Sequence, residues 1–217
     1  MPRKKQNHEI KKKEFTDAAR GLFFSKGYAA TSIQDILAAV KGGAGLSPSV
    51  FYYYFSSKEE IFELCINEYM HHYTQVLINS IEDPELDFQE KFKVVLEYEL
   101  KAVEDFKKID TYFERNDHQS NWFNHQIDIN TRSALVKPLS RLLSDAVESN
   151  FLPVTPLLKD AGTDMLAEML LWSTFPITHQ NRESDGMYHN EKYVRLTPLL
   201  FSQILGVQAE ILYRSSI

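Results

Sequence analysis

The residues whose types and spacing suggest chemistry lie close together, in AGLSPSVFYYYFSSKEEIF (residues 44–62). Five consecutive aromatic residues, 51–55, are flanked by Ser47, Ser49, Ser56 and Ser57. Ser47 followed by Pro48 reads as a helix start, an N-cap and then the first helical residue. At helical spacing Phe51, Tyr54 and Phe55 fall on one side. Pro48, Ser49, Tyr52, Tyr53 and Ser56 fall on the other. The first side can close on a core, but burial does not account for the second. A tyrosine ring packs on a sugar or a thymine methyl while its hydroxyl bonds a phosphate, and small serines let a helix enter a major groove about 12 Å wide. The helix has no arginine, so bidentate reading of guanine is excluded there. Direct readout would rest on Val50 and the tyrosine rings, with duplex shape carrying much of the specificity.

Other chemistries find no support. There is no glycine-rich phosphate loop, no nucleophile elbow and no HExxH motif, so the expectation is a protein that is not an enzyme and needs no cofactor. His71 and His72 are adjacent, about 100° apart on a helix, and with His118 and His125 they lack a cysteine cluster to complete a metal site. Cys65 is the only cysteine, which excludes an intramolecular disulfide and reads as a small buried apolar residue.

The chain has 217 residues, 43% of them hydrophobic and 25% charged, a globular composition. No stretch approaches the ~18 apolar residues of a membrane span and no apolar run follows the basic N-terminus, so a cytoplasmic protein that meets no membrane is expected. The net charge of −6 is unevenly spread: residues 1–58 carry ten Lys/Arg against four acids, which leaves −12 for the remainder. A basic head on an acidic body suits a polyanion partner; a solvated lysine-rich tail is the plainer alternative.

The elements that would position the tyrosines are helices. Phe15, Ala18, Ala19, Leu22 and Phe23 form one stripe on a first helix from about Asn7 to Lys26, with Gly27 as its stop. TSIQ, from Thr31 to Gln34, reads as a capping box for a short second helix carrying Ile33, Ile36, Leu37 and Val40. Ser57-Lys58-Glu59-Glu60 reads as a second box, opening a longer fourth helix through Leu77. Two short helices about a glycine turn, braced by a longer one, make a helix-turn-helix. Beyond residue 82 the pattern stays helical: a segment starting at Asp83-Pro84, a less regular aromatic stretch over 112–130, a helix kinked at Pro138, an apolar helix through 175, and a last one over about 193–213. No β alternation appears. The fold class is all-α, with a head over residues 1–58 and a helical body over 59–217.

The pattern Gly27-Tyr28, Thr31-Ser32-Ile33, Asp35-Ile36, Ala44-Gly45-Leu46-Ser47, Tyr52, Tyr54-Phe55 and Ser57-Lys58-Glu59-Glu60 resembles the N-terminal domain of TetR-type (tetracycline-repressor-like) transcriptional regulators. The resemblance covers about residues 8–62. It implies double-stranded DNA as partner, a homodimer, and control by a small-molecule effector. Carried over by position, it implies base and backbone contacts from Ser47, Pro48, Ser49, Val50, Tyr52 and Tyr53, and phosphate contacts at Thr31 and Lys58, where helix N-termini favour anions. VKGG (residues 40–43) is about four residues more than the usual turn, and either lengthens the second helix or bulges the turn. Lys41 within it is either a further phosphate contact or solvated. The basic arm, residues 3–13, would add salt-sensitive affinity.

In the body, residues 166–175 and 194–205 are candidates for a four-helix dimer contact or for intramolecular core. Tyr69, Tyr73, Tyr98, Phe106, Tyr112, Phe113, Trp122, Phe123, Met169 and Trp172 supply the rings and soft side chains of an effector pocket, or of a core. The expected mechanism is repression at a palindromic operator, relieved when the effector shifts the fourth helix and separates the two recognition helices. An architectural or activating helix-turn-helix protein without an effector is the alternative.

Overall fold

The apolar stripe of the first helix makes its burial inevitable: Phe15, Ala19 and Phe23 are wholly buried along α1 (Arg3–Lys26), while Lys13 and Lys26 are exposed. Gly27 ends it with φ +87°, a left-handed conformation that costs other residues strain, and the Gly27 N–H donates to the Phe23 carbonyl. The computed structural model describes residues 3–40, 46–113, 118–174 and 190–212. Those residues form nine helices and no strand, an all-α fold with an N-terminal helix-turn-helix followed by a helical body. After α1 come α2 (Ile33–Ala39), α3 (Pro48–Tyr54), α4 (Lys58–Glu82), α5 (Phe88–Phe113), α6 (His118–Glu148), α7 (Pro156–Ser173), α8 (Asn190–Leu205) and α9 (Ala209–Leu212).

Local starts and stops depart from the sequence reading in instructive ways. α2 is capped by Ser32, not Thr31: Ser32 Oγ accepts from the Asp35 N–H and the Asp35 carboxylate accepts from the Ser32 N–H. The carboxylate of Asp35 is a stronger acceptor than the Gln34 amide that TSIQ would use, which selects the box one residue later. Lys26, 2.9 Å from Asp35, together with Ser32 holds that carboxyl well below the usual range. α4 opens on half a box, with Ser57 Oγ accepting from Glu60 N–H. The Glu60 carboxylate reaches back to the Ser56 amide and hydroxyl instead, and they lower its pKa. α5 begins past Asp83-Pro84, at a reciprocal box between Asp87 and Glu90. The stretch 112–130, expected to be irregular, is helical to Phe113 and again from His118. Pro138 lies inside α6 without ending it, between the buried Leu135 and Leu139, whose packing offsets the lost backbone bond. α7 breaks at Gly162 (φ +72°, ψ 172°) and resumes beside Ser140–Thr163 and Lys137–Asp164 contacts. The final stretch divides into α8 and the short α9.

The chain forms two compact units. The first comprises Met1–His71 and Asp105–Ile127. Its core joins Phe15 and Phe23 of α1, Ile36 and Leu37 of α2, Phe51 and Phe55 around α3, Phe62 and Ile66 of α4, and Tyr112, Phe123 and Ile127 from α5 and α6. The second comprises His72–Glu104 and Asp128–Ile217. It buries Leu77, Phe92, Leu143, Leu166, Leu170 and Phe201. Cys65 lies wholly buried in the first core, donating to the Thr16 carbonyl, and burial pushes its thiol up to about 12, an inert state. No helix of the described residues is long and apolar enough to cross a membrane.

Candidate nucleic-acid interface

The aromatic run of α3 divides into two faces. Phe51 and the C-cap Phe55 are 0% and 1% exposed, and Tyr54 is half-buried against Phe15 at 5.4 Å. Opposite them Tyr52 and Tyr53 are 56% and 69% exposed, in line with exposed Ser47, Pro48, Ser49 and Ser56. Two tyrosine rings held in water by a rigid helix are costly to leave uncovered. Ser47 is the N-cap by backbone conformation, yet its hydroxyl contacts Ser49 Oγ at 2.5 Å rather than a backbone N–H. Pro48 has no N–H and the Val50 N–H donates to the Ser47 carbonyl at 2.9 Å, so this helix start offers a partner its exposed serine hydroxyls rather than a row of free N–H groups. Val50 is half-buried and packs on the core, so it presents only an edge.

Two residues expected at phosphates are occupied otherwise. Thr31 is 1% exposed and its hydroxyl donates to the Gly27 carbonyl at 2.7 Å, so its side chain fixes the corner between α1 and α2 instead of reaching outward. The Lys58 ammonium donates to the carbonyls of Tyr28 (3.1 Å) and Thr31 (3.0 Å) and lies 4.0 Å from the Tyr28 ring centroid. Tyr28 in turn donates its hydroxyl to Glu59 at 2.6 Å. The start of α4 is therefore clamped to the α1–α2 corner by one lysine, one glutamate and one ring. Lys58→Met is expected to cost about 1–2 kcal/mol in denaturant unfolding, the sum of a ring contact and lost carbonyl partners. It should leave the salt dependence of DNA binding unchanged; a slope shallower by about one unit would mark Lys58 as a phosphate contact.

α2 ends at Ala39, and Val40 takes an extended conformation (φ −69°, ψ 139°), so the extra residues do not lengthen that helix. Lys41 lies outside the described residues, as do the side chains of Arg3, Lys4 and Lys5.

Eight of the ten aromatic and methionine side chains expected around an effector are described, and they lie in different surroundings. Tyr112 and Phe123 are buried in the core of the first unit, Tyr112 beside Tyr28 (4.9 Å) and Phe62 (4.4 Å) and bonded to Glu63. Tyr69 donates to Asp105 at 2.8 Å, and burial, aided by that carboxylate, raises its pKa. Tyr73 is buried with Tyr98 6.4 Å away, while Trp122, Met169 and Trp172 are exposed. The side chains of Phe106 and Phe113 lie outside the described residues. The second unit instead holds a narrow gap of about 20 Å³ that the sequence reading missed. Leu77, Ile81, Phe92, Leu139, Leu170 and Phe201 line it, from five helices, and no polar atom faces it. Aliphatic residues at core positions carry no sequence signal that separates a packed interior from a ligand slit. Among the described residues no group of histidine, cysteine and carboxylates is placed to hold a metal.

A helix-turn-helix with an exposed tyrosine–serine face, continued by a helical body, defines a DNA-binding regulator. Residues 15–65 match the family model described as bacterial regulatory proteins, tetR family, which supports a regulator of that kind. The fold agrees with solved structures of low identity. A TetR-family regulator from Mesorhizobium loti is 15% identical with a TM-score of 0.58, over 91% of this chain and 97% of that one. The fatty acid degradation regulator FadR from Bacillus halodurans is 17% identical with a TM-score of 0.52, over 88% and 94%. No curated protein matches the chain.

Proposed function

We propose that the protein is a homodimeric repressor, bound to a palindromic operator and released by an apolar small molecule, with residues 1–58 as reading head and 59–217 as regulatory body. The carrying observation is the split of α3, whose Phe51 is buried while Tyr52 and Tyr53 are exposed beside Ser47, Pro48 and Ser49. The tyrosines meet sugars and thymine methyls, and the helix start with its serines meets phosphate. One such short helix makes few contacts, which favours two half-sites a helical turn apart. A partner copy would cover the outer face of α7, where Met165, Met169 and Trp172 recur at i, i+4 and i+7 and are 56%, 38% and 38% exposed while Leu166 and Leu170 are buried behind them. Both earlier readings of this helix, core and interface, then apply to different faces of it.

The character of the effector follows from the gap in the second unit. A charged or strongly polar ligand would leave its hydration there without replacement, whereas a hydrocarbon chain would not. At about 20 Å³ the gap must widen to admit one, so its leucines part on binding and the helices that carry them move. A chain of similar fold being a fatty acid degradation regulator points the same way.

Genome-wide footprinting followed by titration of a recovered duplex tests this. The expected result is cooperative binding to short inverted repeats at promoters, weakened roughly tenfold or more by 1-dodecanol or dodecanoic acid, a coupling of the usual size. Leu139→Trp, which fills the gap, should abolish the response to these probes while the variant still binds the duplex. Long non-promoter tracts would favour an architectural role. A response to polar cations alone would remove the apolar effector.

A further inference from the structure

His8 is not part of the face just assigned, yet it touches it. It lies in the second turn of α1, with its ring 5.5 Å from that of Tyr53 in an edge arrangement (67°) and 4.9 Å from that of Tyr54. Tyr54 is itself anchored, packed 5.4 Å from the wholly buried Phe15 and set at 90° to Tyr53. Tyr53 is 69% exposed, so the core does little to fix its rotamer. An unsupported tyrosine on a helix surface samples several staggered wells, and freezing it on DNA costs binding free energy.

We propose that His8 is a positioning residue for DNA recognition: its ring, wedged against Tyr53 and Tyr54, holds the exposed Tyr53 ring in its DNA-ready rotamer before the duplex arrives. This rests on the reading of Tyr53 as a DNA-facing residue. His8 therefore links the N-terminal helix to the specificity of α3 through shape, a role separate from the charge of the neighbouring lysines. The imidazole is about one-third exposed, with Nδ1 3.7 Å from Glu9, so its removal strips no core.

The test measures affinity for a duplex selected with the wild-type protein and for an unrelated duplex of equal length, using His8→Ala, His8→Phe, Tyr53→Ala and the His8→Ala/Tyr53→Ala double variant, each checked by thermal melting. His8→Ala should weaken the selected duplex by roughly 3- to 10-fold, the range of one aromatic pair. The unrelated duplex, the salt slope and the melting temperature should not change. His8→Phe keeps an aromatic ring and removes the ring nitrogens, and should return affinity to within about twofold. In the Tyr53→Ala background, His8→Ala should add nothing. If His8→Phe is as weak as His8→Ala, or the two losses simply add, His8 acts on DNA directly and the proposal is wrong. A loss in Tyr53→Ala with none in His8→Ala overturns the proposal alone. No loss in Tyr53→Ala overturns the DNA-facing reading and the proposal with it.

Discussion

Tyr112→Ala lowers the unfolding free energy of the DNA-binding head by about 3–5 kcal/mol in denaturant titration, the cost of truncating a large, fully enclosed ring. Tyr112 is 1% exposed, with Phe62 at 4.4 Å, Tyr28 at 4.9 Å and Phe123 at 6.3 Å around it. The wall it leaves open belongs to α4 and to the corner that aims α3, so operator binding should fall together with stability. Tyr112→Phe keeps the ring and loses only the hydroxyl bonded to Glu63, which costs about 1–2 kcal/mol. A residue whose place is to line an effector site would behave differently, changing the response to effector and leaving the unfolding curve where it was. An unchanged midpoint for Tyr112→Ala would sink this account.

The second large effect lies on DNA alone. Replacing both Tyr52 and Tyr53 by alanine should reduce affinity for a selected duplex on the order of 10²-fold, since each base-edge or methyl contact contributes about 1–3 kcal/mol of discrimination. Melting should shift little, because both rings are mostly in water. The salt slope should also hold, because neither side chain releases counterions. Phe51→Ala, one residue away, is the contrast: it is wholly buried and should lose binding by unfolding the head. Retention of wild-type affinity by the tyrosine double variant, in a gel-shift titration, would mean that α3 reads DNA through another face.

The division of α3 into two faces was legible because one helical period decides it: five adjacent aromatics cannot all point inward. The all-α class and the helix-turn-helix were legible for the same reason, since stripes, caps and a glycine stop are local signals. Caps were less secure. Thr31 and Ser32 are adjacent candidates, and the choice fell to a carboxylate at Asp35 with Lys26 beside it, a pairing that brings in a residue from the end of α1. The roles of Lys58 and Tyr112 were not legible. Nothing local tells that Lys58 turns back to carbonyls some thirty positions earlier, or that Tyr112 packs on Tyr28 in the first unit's core. Aromatic residues advertise burial, but a lone sequence does not state which core takes them.

The makeup of the first unit bears on how such proteins can be taken apart. Tyr112, Phe123 and Ile127 come from residues 105–127, yet they are bricks in the same wall as Phe23, Tyr28 and Phe62. The reading head is consequently not a detachable cassette. A chimera grafted at residue 58, or an isolated fragment ending at 71, would carry the tyrosines of α3 but lack part of the floor beneath their scaffold. A transplant that keeps its grip on DNA has to bring the 105–127 segment along, which makes the inheritance of DNA specificity in this chain discontinuous in sequence.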